Sequence, residues 1–274
     1  MMIKTKTSKF IQVAFLTLTT LLSLFPFYMV IIMSTYYTND LYKGLPIFPS
    51  NYFMTNLQTI LKTNFVRVYF NSLFVSISAM VLSCLTASLI GYAIAKFEFK
   101  GRNMLRSFIL ATMMIPTQVG IIGYVLEMKA LGLNGTIWPL IFAFAASPFA
   151  AFFLLQFTKS AVPDEVIESA RIDGCSESGI FVKMVIPFIK PAISTTAILI
   201  FLWSWNNYLL PLVSINDNNN YTIPLLISTL SSEFVTDFAA QMTAVGFAII
   251  PIIVLFICGS KTFIEGLATG SVKG

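Results

Sequence analysis

The sequence contains no histidine and little charge, with Asp, Glu, Lys and Arg together making up 11% of 274 residues, against about 25% in an ordinary soluble domain. The lack of histidine removes the commonest transition-metal ligand and the side chain that titrates nearest neutral pH, so haem, zinc and histidine-based proton relays are not expected. Three cysteines, Cys84, Cys175 and Cys258, are scattered through the chain. They suggest neither a disulfide framework nor a CxxC metal pair and read as small packing residues. The phosphate-binding pattern GxxxxGK[ST] is also missing: Gly259-Ser260-Lys261-Thr262 imitates only its end, lacks the upstream glycine and follows an apolar run where a strand is required. Neither HExxH nor GxSxG occurs. An enzyme or a self-powered pump therefore finds no support.

What is present is apolar. Hydrophobic residues make up 57% of the chain, with 26 Phe and 12 Met, and the mean hydropathy is +0.82. Such a chain has too little polar surface for a soluble globule and reads as an integral membrane protein. Apolar runs at 10–33, 70–95, 108–126, 137–157, 192–213 and 242–258 each approach the roughly 20 residues needed to cross a bilayer core of about 30 Å. Backbone polar groups cannot be left bare in lipid, and period-2 barrel patterning is absent, so six transmembrane helices are expected. The first run is too long for a signal-peptide core of about 7–15 residues and has no A-x-A-like site after it, so it is expected to be retained. Pro26, Pro116, Pro139, Pro148, Pro211 and Pro251 lie within or at the ends of the runs and mark expected bends. Residues 34–68 form a mixed loop with a short amphipathic helix expected near its end. The spans contain no Asp or Glu, which weakens the case for a proton-coupled carrier.

The net charge of +5 is a question of sidedness, since cytoplasmic loops are enriched in Lys and Arg, and it does not call for nucleic acid as a partner. With the N-terminus inside, Lys4, Lys6, Lys9, Lys96, Lys100, Arg102, Arg106, Lys159, Arg171, Lys183, Lys190, Lys261 and Lys273 fall on the cytoplasmic side. Only Lys43, Lys62, Arg67 and Lys129 fall outside, and 214–241 has no basic residue. A multi-pass protein of the cell membrane with both termini cytoplasmic is expected.

One stretch departs from the apolar character. Residues 163–191, PDEVIESARIDGCSESGIFVKMVIPFIKP, carry Asp164, Glu165, Glu168, Arg171, Asp173, Glu177, Lys183 and Lys190, with Lys159 just before. None lies cheaply in hydrocarbon. Pro163 suits a first helical turn, the acidic residues suit the positive end of a helix, and Gly174 can end it. Ser176 can cap a second short helix running through Phe181 and Met184 towards Pro187. A solvated loop would hardly need Val166, Ile167, Ala170 and Ile172 among its charges, so their stripe is expected to pack into a groove of another protein.

Glu168-Ser169-Ala170, Gly174 and Ile186-Pro187 reproduce the pattern EAA-x3-G-x9-I-x-L-P, with Ser169, Met184 and Ile186 as small or apolar replacements. The chain thereby resembles permease subunits of binding-protein-dependent ABC importers. The likeness extends through Asn71-Ser72-Leu73, Gly91-Tyr92-Ala93, Phe99-Lys100-Gly101-Arg102, Ile115-Pro116, Ile172-Asp173-Gly174, Trp205-Asn206-Asn207 and the terminal 266–274, and is strongest to the carbohydrate-uptake branch, the smaller maltose-type permease. Ser260-Lys261 departs from the Gln-Arg usual there.

The resemblance implies an all-α polytopic membrane protein with the type I ABC importer permease fold. It forms a single transmembrane permease domain over 1–274, with a coupling loop at about 160–191. It assigns Glu168, Ser169, Ala170, Asp173, Gly174 and Pro187 to a cytoplasmic coupling helix that docks on an ATPase, and places the tail, with Gly266, Gly270, Lys273 and Gly274, near the ATPase pair. Implied partners are a second permease, two ATPase subunits that bind ATP and Mg, an extracytoplasmic sugar-binding protein and the lipid bilayer; this chain itself would hold no cofactor and perform no catalysis. Gln118, Ser204, Asn206 and Asn207 are uncharged hydrogen-bonding groups within spans, and Trp203, Trp205 and Tyr208 offer aromatic faces to a sugar ring. They form a candidate substrate path, against the alternative that they bridge helices or belong to an interfacial belt. The competing functional readings are an ABC permease for another polar solute, such as a polyamine or phosphonate, and an ATP-independent channel or secondary carrier.

Overall fold

A computed structural model describes residues 6–230 and 237–271, with side chains over 9–230 and 237–260. In chain order the helices are α1 (Lys6–Met33), α2 (Thr38–Leu41), α3 (Phe53–Leu61), α4 (Phe65–Lys96), α5 (Arg102–Met113), α6 (Thr117–Ala130), α7 (Trp138–Ala145), α8 (Pro148–Ala161), α9 (Asp164–Ile172), α10 (Glu177–Ile180), α11 (Ile186–Trp205), α12 (Leu209–Ser214), α13 (Ile223–Thr229) and α14 (Phe238–Ser271). Among the described residues five helical stretches are long and apolar enough to cross a membrane: Lys9–Met33, Phe65–Lys96, Trp138–Ala161, Glu177–Trp205 and Phe238–Ser260. The sixth expected span is a broken pair.

That pair is α5 and α6, which meet at 105°. Pro116 stands at the start of α6 with φ −59° and ψ 128°, and proline drives the residue before it out of the helical region. The run at 108–126 is therefore not one helix, as its hydropathy suggested, but two segments turned at Met114–Pro116. The run at 192–213 differs in the opposite way at its start. Its helix begins at Glu177 and continues past Pro187 and Pro191 to Trp205, so the second helix of the charged island is not short. A π turn over Phe181–Val185, in which Ile186 N–H donates five residues back to Phe181 O, widens the coil just before Pro187. That widening accommodates a ring that would clash with the carbonyl four residues earlier. At its other end the helix stops at Trp205, eight residues short of the expected boundary by sequence position. Asn206 Nδ2 donates back to Leu202 O at 2.8 Å and Asn207 Oδ1 accepts from Leu210 N at 3.2 Å, side-chain bonds that compete with helix continuation.

The chain divides into two compact units. The first, Met1–Phe65 with Ile227–Ile250, contains α1, whose Phe and Leu side chains point outward, as befits a helix facing lipid or another subunit. The expected amphipathic helix of the 34–68 loop is α3, which buries Ile60 and Asn56. Asn56 Nδ2 donates to Ser34 O and Tyr36 O, each at 2.8 Å, satisfying the carbonyls where the chain leaves α1. Asp237 caps α14 by accepting from Ala240 N at 3.0 Å.

The second unit is Val66–Leu226 with Pro251–Gly274. Here α8 packs against α5 and α11 around Leu154, Leu155, Val185, Ile189 and Ile200. Helix α4 presents Ser76, Ala79, Ser83 and Ala87 as a buried small-residue face, the kind of surface that lets helices in lipid approach closely. Gly91 continues it: a Cβ there would lie 2.9 Å from Leu155 N and 3.0 Å from Leu154 C.

Candidate functional site

The charged stretch folds as a hairpin on the second unit. Helix α9 starts at Asp164 with Pro163 as its N-cap residue, outside the helix and not in its first turn. Asp164 and Glu165 occupy the first turn and Arg171 the last, matching the helix dipole. Gly174 follows at φ +77°, in the left-handed region that favours glycine, and its N–H bonds Arg171 O at 3.0 Å. Ser176 Oγ then caps the next helix by accepting from Gly179 N at 3.3 Å. The bend and the cap are those the sequence led us to expect.

The apolar residues of α9 divide differently from the expectation. Ile167 and Ala170 are buried in the chain's own core, so the stripe is largely consumed internally. An amphipathic helix lying on a bundle buries its apolar face there before any partner arrives. Ile172 alone remains prominent, 86% exposed at the tip, beside exposed Glu168, Ser169 and Asp173. Pro187 is exposed in the continuous helix behind them.

Two basic residues, Lys96 and Arg171, hold the hairpin in place. Lys96, the last residue of α4, has a side chain only 5% exposed and donates to Val162 O at 2.6 Å and Asp164 Oδ1 at 2.5 Å. One helical turn earlier, Tyr92 OH donates to Glu177 Oε2 at 3.0 Å. Arg171 Nε donates to Glu177 Oε1 at 2.7 Å, and its guanidinium lies 5.4 Å from the centre of the Phe97 ring, within cation–π range. The hydrogen bond to Glu177 holds the Arg171 guanidinium above its ordinary pKa. Arg102 donates to Ile94 O at 2.7 Å and Ala95 O at 3.1 Å, closing the carbonyl end of α4, and pairs with Glu98. The spacing of Tyr92 and Lys96, four residues apart at a helix end, was the available signal for a shared face.

The substrate-path residues are not brought to one surface. Trp205 is 2% exposed, stacked with Phe201 at 5.7 Å and at right angles to Tyr69 at 5.8 Å; buried in this way, it offers no face to a sugar. Ser204 is buried, and Asn207 is engaged with Leu210 N. Gln118, Trp203, Asn206 and Tyr208 are exposed, although Trp203 meets Phe149 edge-on at 5.2 Å. In the tail, Gly266 and Gly270 lie within α14, while Lys273 and Gly274 fall outside the described residues.

Apolar helices long enough to span a membrane, with one polar hairpin held at the end of α4, define an all-α membrane protein, and comparison with known proteins gives its family. Residues 85–263 match the family described as binding-protein-dependent transport system inner membrane component, and the chain belongs to it. It is 38% identical over 204 residues, 74% of this chain and 73% of the other, to the arabinooligosaccharides transport system permease protein AraQ of Halalkalibacterium halodurans. It is 29% identical over 263 residues, 96% of each chain, to the lactose transport system permease protein LacG of Rhizobium radiobacter. Among solved structures it resembles a chain from a bacterial ABC transporter involved in import of the acidic polysaccharide alginate, with a TM-score of 0.82, 21% identity and coverage of 96% of this chain and 100% of that one. The fold is thus that of an ABC importer permease.

Proposed function

We propose that this chain is one permease subunit of an ATP-driven importer that carries a sugar or oligosaccharide into the cytoplasm. It would pair with a second permease, two separate cytoplasmic ATPase subunits that bind ATP and Mg, and an extracytoplasmic binding protein. Sugar as cargo is supported by the names of the relatives, AraQ and LacG. The observation that carries the coupling role is the geometry of α9: Glu168, Ser169, Ile172 and Asp173 project outward while the opposite face is fixed to the bundle through Ile167 and Ala170. A helix held on one side and bare on the other, with an apolar tip rimmed by acids, suits a cleft lined by basic and apolar groups. The Lys and Arg distribution supports a cytoplasmic position for this hairpin and both termini. Gln118, Asn206 and Tyr208 are the residues of the candidate path accessible to a passing ligand.

The test is reconstitution of the assembled transporter in liposomes with labelled arabino-oligosaccharides, lactose and non-sugar solutes. Uptake should require ATP, binding protein and both permeases. Replacement of Glu168 by Ala or Gly174 by Val should abolish it while membrane insertion persists. Transport by this chain alone without nucleotide refutes the importer reading, and preference for a non-sugar solute refutes the cargo.

A further inference from the structure

We propose that Tyr92, Lys96, Arg171 and Glu177 form a latch that bridges both hinges of α9 and fastens them to the end of α4, so that a push on α9 moves α4 with it. The proposal rests on the reading of α9 as the ATPase-docking helix. The backbone leaves helical geometry at each end of α9. Before it, Val162 and Pro163 are extended, with ψ 109° and 141°; after it, Gly174 turns through the left-handed region. A helix held between two such bends only by the apolar packing of Ile167 and Ala170 can slide or rotate under load and dissipate part of the displacement. Each bend is crossed by a charged side-chain bond. Lys96 grips Val162 O on one side of Pro163 and Asp164 on the other, while Arg171 and Glu177 join across Gly174.

Both crossings end on the same helix. Tyr92 ties Glu177 to α4 about 6 Å along the axis from Lys96, one turn at 1.5 Å per residue. The rings of Phe97 and Phe181 flank Tyr92 at 5.3 and 5.5 Å, holding its hydroxyl in position. The Lys96 side chain is almost wholly buried while the Asp164 carboxylate is 76% exposed, so the bond to Val162 O is the one shielded from water and the ion pair to Asp164 adds a weaker, solvent-screened hold. These four residues are positioning residues: they touch no cargo and act by keeping α9, α4 and the start of the Glu177–Trp205 helix in one rigid body. Two discrete attachments to one element let a displacement of α9 carry α4 with it as a rigid body.

The experiment uses the assembled transporter in nanodiscs and liposomes, with Tyr92→Phe, Lys96→Met and Lys96→Arg in this chain. Two quantities are measured: hydrogen exchange over residues 164–177, and ATP hydrolysed per sugar imported. Tyr92→Phe removes one hydroxyl and keeps the ring packing, so it carries the test even if Lys96→Met fails to assemble. Each loss variant should speed exchange in that segment by about tenfold, the scale of one lost hydrogen bond to a charged group. Each should also raise the ATP-to-sugar ratio by a similar factor, and Lys96→Arg should restore both. Unchanged exchange in Tyr92→Phe overturns the latch, and faster exchange with an unchanged ATP-to-sugar ratio overturns its role in transmission. Absence of ATP-driven uptake in the unmodified complex instead overturns the importer reading, while the exchange measurement still judges the latch itself.

Discussion

Replacing Gly91 by alanine tests how closely α4 must approach α8. The added Cβ would lie 2.9 Å from Leu155 N, 3.0 Å from Leu154 C and 3.3 Å from Leu154 O. All three are backbone atoms within a helix and cannot swing aside as a side chain would. Reaching an ordinary separation of 3.4 Å requires the helices to part by about 0.5 Å, in an interior packed too densely to absorb it. Overpacking of this kind costs about 1–3 kcal/mol, which at about 2–4 °C per kcal/mol for a chain of this size lowers Tm by about 2–12 °C. Gly91→Val, with two further methyls in the same contact, should fall further. The control is built into α6, where Gly120 and Gly123 face open space. Alanine there gains up to about 1 kcal/mol of helix propensity and should leave Tm equal or higher. Thermal unfolding of the purified chain in one detergent compares all four variants. A wild-type Tm for Gly91→Ala, or an equal loss for Gly120→Ala, would refute the close-approach reading.

Three further outcomes follow from single residues. Gly174→Val places a β-branched residue at φ +77°, a cost of about 1–2 kcal/mol, so it should abolish uptake, whereas Gly174→Asn, which tolerates that region, should retain part of it in the liposome assay. Ser176→Ala removes the cap on Gly179 N and should destabilise the hairpin by about 1 kcal/mol, read as faster hydrogen exchange over the first turn of α10 with the first unit unchanged. Trp205→Ala empties a fully buried site and should cost about 3–5 kcal/mol in thermal unfolding, whereas Tyr208→Ala, at an exposed position, should leave Tm within about 1 °C and lower sugar uptake; a reversed pattern would contradict the assignment of Trp205 to the core.

Composition and hydropathy are enough to establish a helical membrane protein, because lipid leaves no other solution for long apolar runs without charges. The hairpin was legible for the same reason in reverse: eight charged side chains between Asp164 and Lys190 had no place in hydrocarbon, and Gly174 and Ser176 have local conformational preferences that act within a few residues. Hydropathy failed where backbone geometry rules. The bend expected at Pro116 is present, but polarity did not show that it breaks the span through 105°, nor that a π turn lets another helix run through Pro187, since both depend on hydrogen-bond placement.

The two misplaced expectations share one cause. Ile167 and Ala170 were expected to meet a partner and Trp205 a sugar, yet all three are buried within the chain. An apolar stripe or an aromatic ring carries no mark of what will cover it; that is decided by which helices the chain brings alongside. The sequence alone determined that a charged hairpin with a glycine bend and a serine cap interrupts a set of membrane spans. Only the tertiary structure decided which face of that hairpin is free and that Tyr92 and Lys96 hold the other, because those bonds join residues 85 and 68 positions apart, beyond the reach of any local pattern.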